Sequence, residues 1–170
     1  SKKLGIKKIE RIDAFDISHQ YMQKGVGSCV VFAESGASKK DYRLFNIPNE
    51  ISGNDVASME HVISRRLKYY EDQKPDLILI DGGRTQLNFT NKILKNFGME
   101  EILVLGIAKG KGRVRATETI YTNKGILEIE PHSESFKLLN EARDESHRFA
   151  ITASRKKIRK SNKYSALDSV

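Results

Sequence analysis

The chain is organised around Pro75-Asp76-Leu77-Ile78-Leu79-Ile80-Asp81-Gly82-Gly83. Its run of Leu and Ile has the length of a strand buried on both faces of a sheet, and residues 84–97 after it have the pattern of a helix. Asp81 is therefore expected at the carboxyl end of a strand, the edge at which open α/β sheets bind ligands. An acid there is either a metal ligand or a cap for the following helix, and the strand alone does not decide between them.

The composition predicts one domain that folds without covalent crosslinks. A chain of 170 residues buries roughly two thirds of its unfolded surface. The single cysteine, Cys29, lies in an apolar run, so we expect a small buried side chain in a protein from a reducing compartment. No apolar segment approaches the length of a membrane span, and residues 1–4 do not begin a signal peptide. We therefore expect no membrane partner and a cytoplasmic location.

The charge of the chain indicates a polyanionic partner. The formal net charge is +8 at pH 7, and such a chain is favoured to bind phosphates because counterions are released. The cations concentrate between Arg143 and Lys163, whereas residues 41–81 are roughly balanced. A basic run can also be no more than a solvated face or a frayed tail. Because Trp is absent and no Phe/Tyr pairs recur, base stacking is poorly supported.

Three segments before the central strand have the alternating or apolar pattern of strands. They are residues 8–18, 25–32 and 40–47. The turn-rich residues 34–38 join the last two as a hairpin, so these strands are expected to be antiparallel. A helix of about residues 55–71 comes next, with Asn54 as its N-cap.

After the central strand and its helix, the pattern predicts another buried strand, a hairpin and a last helix. Their bounds are residues 102–108, residues 119–122 with 125–129, and about residues 133–152. This order matches a ribonuclease H-like α/β fold, in which three antiparallel strands precede parallel strands in one mixed sheet and helices cover both faces. We assign residues 1–154 to this domain. Residues 155–170 lose the apolar period and are interpreted as a basic linker.

A second acid, Asp16, lies within the first predicted strand, where an unpaired carboxylate is costly to bury. It is either hydrogen-bonded for structural reasons or a metal ligand. If the first and central strands pair, Asp16 and Asp81 are neighbours, and a divalent cation would relieve their repulsion. Such an ion activates water and neutralises charge on a phosphate, as phosphodiester hydrolysis requires. His147, late on the last helix, is a candidate third member, either as a ligand or as a proton-transfer group.

The glycine-rich segment 106–111 does not form a nucleotide-binding P-loop, because Gly-x-x-x-x-Gly-Lys-Ser/Thr is absent. We interpret residues 108–113 as a mobile basic loop that either contacts a phosphate backbone or is only solvated. Cys29 has no motif of its own that would support nucleophilic catalysis.

Several strings resemble a known family in their order and spacing. They are Asp13-Ala-Phe-Asp16-Ile-Ser-His19, Gly53-Asn-Asp55, Leu79-Ile-Asp81-Gly-Gly83, Gln86, Gly106-Ile-Ala-Lys109-Gly110 and Asp144-Glu-Ser-His147-Arg-Phe-Ala-Ile151. Over about residues 8–168 the chain resembles the C-terminal endonuclease domain of UvrC, the incising subunit of bacterial nucleotide excision repair. The resemblance implies a ribonuclease H-like fold and an endonuclease that makes the 5′ incision beside a lesion in double-stranded DNA.

The resemblance also implies functional residues and partners. It implies a catalytic triad of Asp16, Asp81 and His147 that holds Mg²⁺ or Mn²⁺, and a required acid at Asp55. It implies UvrB as a partner, bound through regions not visible in this sequence. It also implies helix-hairpin-helix modules after this domain. The family's Asp-Gly-Gly-Lys-Gly-Gln is here Asp81-Gly-Gly-Arg-Thr-Gln86, which keeps a positive charge but replaces the Lys amine and a Gly backbone position.

A set of cations is expected to hold phosphates rather than to recognise bases. The set is Arg84, Lys109, Lys111, Arg113, Arg148, Arg155, Lys156 and Lys157. Two other functions stay open: a catalytically silent DNA-binding module, and a ribonuclease H-like nuclease for another nucleic acid, such as an RNA:DNA hybrid or a Holliday junction. The presence of both Asp residues argues against the first. Only the family strings argue against the second, because a fold does not fix a substrate.

Overall fold

The computed structural model describes residues 8–17, 25–70, 73–109 and 118–168. Within these residues one mixed sheet has eight strands, and three α-helices cover it. The strands are β1 (Ile12–Asp16), β2 (Val26–Ala33), β3 (Gly36–Ala37), β4 (Arg43–Asn46), β5 (Leu77–Asp81), β6 (Leu103–Lys109), β7 (Glu118–Thr122) and β8 (Gly125–Leu127). The helices are α1 (Asp55–Leu67), α2 (Arg84–Asn96) and α3 (Glu134–Asp168). The order in the sheet is β3-β2-β1-β5-β6-β7-β8, and β4 also pairs with β2.

Parallel strands β1, β5 and β6 form the middle of the sheet. Phe15 on β1 lies opposite Ile80 on β5, and Asp81 lies opposite Ile107 on β6. Strands β2 and β4 are antiparallel to their neighbours on one side, and β7 and β8 on the other. The predicted ribonuclease H-like arrangement is therefore confirmed, and β1 and β5 end at the same edge of the sheet.

The helices cover both faces of the sheet, as the sequence predicted. Helices α1 and α2 pack on the face that carries Phe15 and Ile78, whereas α3 packs on the face that carries Ala14 and Leu79. Side chains alternate between faces along a strand. Asp16 and Asp81 come two residues after Ala14 and Leu79, so both acids lie on the face that α3 covers.

One charged residue, Asp13, is buried on the opposite face, beneath α1. Its carboxylate, which is 0% exposed, accepts hydrogen bonds from Tyr70 Oη and from Arg66 Nε at 3.3 Å. Arg11 Nε donates to its other oxygen at 3.1 Å. Arg66 lies on α1 and Tyr70 follows it, so these contacts attach this part of the chain to β1. They also supply the partners that a buried charge requires. Cys29 is buried next to them, and burial raises the pKa of its thiol, as expected for a packing residue.

The prediction that the last helix ends near Thr152 was wrong, because α3 continues to Asp168. Beyond Ser154 no described side chain of this helix is buried. The loss of the apolar period therefore marks the end of packing against the sheet and not the end of the helix. Arg and Lys favour the helical conformation on their own account. Among the residues that the structure describes, no helix has both the length and the apolar character needed to span a membrane.

Candidate active site

Three side chains that the sequence singled out come together at the edge where β1 and β5 end. Asp16 and Asp81 are the last residues of their strands, and His147 reaches them from α3. One potential ligand atom from each residue lies within 4.8 Å of the other two. In the described part of the chain this is the one group of at least three acidic, histidine or cysteine side chains that could hold a metal ion. The two acids thus share one site on one face of the sheet.

Polar contacts made by the two residues before His147 fix its position on α3. Ser28 Oγ on β2 donates a hydrogen bond of 3.0 Å to the carbonyl oxygen of Ser146. Tyr42 Oη donates one of 3.1 Å to the carboxylate of Glu145. Because these contacts tie the two preceding residues to the sheet and its neighbouring loop, the His147 ring is directed at the edge that carries the acids.

The loop after Asp81 is held against β6 by its backbone. The amide of Gly82 donates a hydrogen bond of 3.0 Å to the carbonyl oxygen of Ile107. A Cβ atom at Gly106 would lie 2.7 Å from the carbonyl oxygen of Gly82, which is closer than a side chain permits. The absence of a side chain at Gly106 therefore allows the loop to approach β6 and fixes where Asp81 leaves the sheet.

The electrostatics of the site favour a bound cation. Asp16 is 1% exposed. Asp81 is exposed at the rim of the site, but the protein around its carboxyl displaces water and raises its pKa above the ordinary value. The nearby charge of Asp16 raises this pKa further, whereas the charges of Arg143 and His147 lower it. Two carboxylates that repel each other offer hard oxygen ligands of the kind that Mg²⁺ and Mn²⁺ prefer, and an imidazole nitrogen can complete the set. The donor set therefore fits a divalent cation.

Asp55, the fourth acid singled out by the sequence, does not belong to this group. It lies in the first turn of α1, after the N-cap Asn54, whose side chain accepts a hydrogen bond from Ala57 N. Its side chain lines a groove between α1 and α2 that also includes Thr85 and Lys92. These helices cover the face opposite to α3, so a functional role for Asp55 stays a prediction.

The cations singled out for phosphate binding occupy two regions. Arg84 begins α2 directly after the Asp81 loop, and Lys109 ends β6 at the same edge. The others come after His147 along α3: Arg148 is exposed and donates to Glu145, Arg155 and Lys156 are exposed, and Lys157 Nζ donates to Asn46 Oδ1 at 3.0 Å. Lys111 and Arg113 lie outside the described residues.

Two further charged residues near this site, Arg143 and Glu118, were not predicted from sequence to have a role. Arg143 lies one helical turn before His147 on α3, and it forms an ion pair with Glu118, the first residue of β7. Its position four residues before His147 could have indicated that the two share a face of the helix. No sequence pattern indicated Glu118, because its proximity depends on how β7 pairs with β6.

Comparisons with known proteins agree with the fold. The family model described as the UvrC RNase H endonuclease domain matches residues 1–151. UvrABC system protein C of Psychrobacter arcticus is 42% identical over 162 residues, which are 94% of this chain and 26% of that protein. The corresponding protein of Legionella pneumophila is 42% identical over 168 residues, 96% of this chain and 27% of that protein.

Among solved structures, the catalytic domain of human endonuclease V aligns with a TM-score of 0.50. It is 12% identical, and the alignment covers 91% of this chain and 85% of that domain, which supports the fold alone. The present chain spans about a quarter of the length of its curated bacterial relatives. The extent of the family match and the identity to these relatives place the chain in the UvrC RNase H endonuclease domain family.

Proposed function

We propose that this chain is the catalytic domain of a metal-dependent DNA endonuclease that makes the 5′ incision in nucleotide excision repair. The observation that supports the proposal most strongly is the group formed by Asp16, Asp81 and His147, whose ligand atoms lie within 4.8 Å of one another. The family to which the chain belongs is described as an endonuclease domain. A group of two acids and a histidine at the carboxyl ends of parallel strands has the chemistry for cleaving a phosphodiester.

Each member of the group has a distinct task in this proposal. Asp16 and Asp81 would hold Mg²⁺ or Mn²⁺ together with His147. The ion, when bound, supplies a Lewis acid that activates water and neutralises charge on the phosphate. Asp16, fixed by burial, orients the imidazole through the 2.9 Å contact between Oδ2 and His147 Nδ1. Because Nδ1 of His147 faces Asp16, Nε2 is the nitrogen that would either contact the ion or exchange a proton with solvent or substrate, and the side chain is 41% exposed.

The cations would position DNA across this edge. Arg84 occupies the first turn of α2, where the positive end of the helix dipole disfavours a cation, but a phosphate would pair with both. Lys109 lies at the end of the neighbouring strand. The basic part of α3 extends the positively charged surface beyond His147. Because these residues would contact phosphates, DNA binding should depend strongly on salt concentration and little on the base sequence.

The substrate and the partner are proposals that come from the family resemblance. We propose a damaged duplex as the substrate and UvrB as the partner, bound through parts of the full-length protein beyond this domain. Residues 155–168 continue α3. We propose that this segment connects the endonuclease domain, residues 1–154, to the helix-hairpin-helix modules that the resemblance implies.

Nicking of a duplex with one defined lesion tests the proposal. The assay uses the full-length protein with UvrB, and it compares Mg²⁺ or Mn²⁺ with a chelator. We expect 5′ nicking that needs the metal ion and that falls by about 10²-fold or more in Asp16→Asn and Asp81→Asn. Lys74→Ala, which removes an exposed ion pair with Glu101 at the opposite edge of the sheet, is the matched control and should nick normally. Nicking that persists in the chelator, or in both Asp variants, would contradict the proposal.

A further inference from the structure

A half-buried ion pair lies beside the metal-binding group and is not explained by metal binding. Arg143 Nη1 on α3 pairs with Glu118 Oε1 on β7, and each side chain is 15% exposed. The other side of the same guanidinium faces Asp144, whose Oδ1 lies 2.9 Å from Nη2 and 3.3 Å from Nε. Two carboxylates thus hold the guanidinium from two directions.

The two carboxylate oxygens of Glu118 differ in their contacts. Oε2 is buried and has no hydrogen-bond partner among the described residues. A buried acceptor without a donor destabilises a fold, so a pair that served only to attach α3 to β7 would be expected to satisfy both oxygens or to leave one in water. The unpartnered oxygen suggests that the pair is arranged for a second state, in which Glu118 accepts another hydrogen bond.

The pair shares a face of the sheet with the metal-binding group. Glu118 lies opposite Lys109 in the β6–β7 ladder. Two residues later on the same strand, Ile120 packs under α3. Its side chain therefore points to the face of Asp16 and Asp81. In agreement, the positive charge of Arg143 lowers the pKa of Asp81 and the negative charge of Glu118 raises it, so both lie within electrostatic reach of that carboxyl.

Arg143 retains the capacity to bind a further anion. A guanidinium has five N–H donors, and the contacts to Glu118 and Asp144 leave a second hydrogen on each of Nη1 and Nη2. The Asp144 side chain is 69% exposed, so its contact is in solvent and easily exchanged, whereas the contact to Glu118 is half-buried. An anion that displaced Asp144 would bind the Nε and Nη2 edge of the guanidinium in the bidentate geometry that Arg favours, while Glu118 keeps its contact with Nη1.

We propose that Arg143 binds a phosphodiester of the DNA strand next to the metal-binding group, and that Glu118 is the positioning residue that holds its guanidinium there. A donor fixed in advance stabilises charge that develops on a phosphate without reorganising during the reaction. Glu118 acts through Arg143 and does not contact the ion. This inference rests on the proposed nuclease function and names two residues that serve it.

A double-mutant cycle tests the inference on the full-length protein with UvrB and a lesion-containing duplex. The variants are Arg143→Ala, Arg143→Lys, Glu118→Gln and the double variant Glu118→Gln/Arg143→Ala. We expect Arg143→Ala to lower kcat by about 10²-fold, the scale of a lost preorganised donor, with a smaller change in KM. Arg143→Lys should recover only part of the rate, because an ammonium lacks the planar fork. Glu118→Gln should lower kcat by about tenfold, and the double variant should equal Arg143→Ala because one residue acts through the other.

Two further readouts separate this role from the alternatives. Mn²⁺ alone should still bind to all four variants with at most a modest change in affinity, since each alters a nearby charge but none removes a ligand, whereas Asp81→Asn should weaken binding strongly. Thermal unfolding shows whether Arg143→Ala still folds, and the Lys and Gln variants keep the test valid if it does not.

Several results would overturn the inference. A wild-type kcat in Arg143→Ala would show that Arg143 does not bind the reacting phosphodiester, and it would not affect the proposed nuclease function. Multiplicative effects in the double variant would show that Glu118 acts independently of Arg143. Loss of Mn²⁺ binding in Glu118→Gln would make Glu118 part of the metal site instead. A wild-type protein without metal-dependent nicking would overturn the proposed function and this inference together.

Discussion

His147 Nδ1 lies 2.9 Å from Asp16 Oδ2, although 131 residues separate the two in sequence. One partner is fixed, because Asp16 is buried at the end of β1, and the other is partly open to solvent on α3. The contact joins a strand from the start of the domain to its last helix, so the site is complete only when the whole sheet and α3 have assembled. Stability of the domain and competence of the site are therefore expected to be coupled.

Asp81→Asn should stabilise the protein at neutral pH when metal ions are absent. The native state raises the pKa of Asp81 above its ordinary value of 3.8, so it holds a proton that the unfolded state releases. The free energy of unfolding of the wild type therefore falls as pH rises from near 3.8 to the raised pKa, and the deficit persists above it.

Thermal unfolding of both proteins in a chelator, between acidic and neutral pH, measures this difference. The melting temperatures should converge at the acidic end and separate towards pH 7, with the variant higher. Mn²⁺ should raise the melting temperature of the wild type and have little effect on the variant, because an ion that binds only the native state stabilises it. A variant that is less stable than the wild type at neutral pH in the chelator would contradict this account of Asp81.

Gly106→Ala should disturb the loop after Asp81. The new methyl group would meet the carbonyl oxygen of Gly82 at 2.7 Å, so β6 and the loop must move apart. We expect a loss of about 1–3 kcal/mol in the free energy of unfolding, as for other overpacked sites. Chemical denaturation measures the loss.

Gly83→Ala is the matched control for Gly106→Ala. Gly83 has φ −92° and ψ −156°, and the nearest atom to an added Cβ is 3.9 Å away. It should unfold within about 0.5 kcal/mol of the wild type, as surface substitutions usually do. Equal losses in the two variants would show that the approach of the Gly82 loop to β6 is not the cause.

Asp13→Ala should be strongly destabilising. The substitution leaves the buried guanidinium of Arg66 and the hydroxyl of Tyr70 without their shared acceptor. Breaking one side of a buried ion pair costs about 3–5 kcal/mol, because the other charge stays buried. Urea unfolding, with Lys74→Ala as an exposed ion-pair control, tests this value. A loss as small as that of the control would show that Asp13 contributes little to the attachment of α1 to β1.

The exposed cations of α3 should contribute to DNA affinity in a sequence-independent way. Lys156→Ala with Lys160→Ala removes two exposed charges, and the slope of log Kd against log salt should decrease in magnitude by up to about 2. Lys74→Ala with Lys95→Ala removes two exposed charges near the opposite edge and should leave the slope unchanged. Equal slopes for the wild type and the α3 variant would indicate that this part of the helix is only solvated.

The parts of the fold predicted from sequence are those set by local pattern. The apolar run before Asp81 has the length and composition of a doubly buried strand, and β5 is buried from Leu77 to Ile80. The alternation of residues 12–16 placed Asp16 on the face of Ala14, and pairing of β1 with β5 then brought it to Asp81. Periodicity along each strand and the pairing of β1 with β5 are therefore sufficient to bring the two acids together.

The parts that sequence did not predict depend on contacts between distant elements. The extent of α3 was underestimated because an exposed basic helix has no apolar stripe to reveal it. Glu118 became significant only through the β6–β7 ladder and its ion pair with Arg143. The buried ion-pair role of Asp13 was not indicated by the sequence, because its partners Arg66 and Tyr70 are 53 and 57 residues away.

The 5′ nicking rate of His147→Ala in the full-length protein with UvrB, at saturating Mn²⁺ on a lesion-containing duplex, shows whether Asp16, Asp81 and His147 act as one catalytic group. Its matched control is His132→Ala, which removes an exposed histidine outside the metal-binding group. We expect His147→Ala to bind DNA like the wild type and to stay folded at the assay temperature, although loss of the contact to Asp16 lowers its stability. It should nick about 10²-fold more slowly or worse, whereas His132→Ala nicks normally. Nicking by His147→Ala at the wild-type rate would contradict the assignment of Asp16, Asp81 and His147 as one catalytic group.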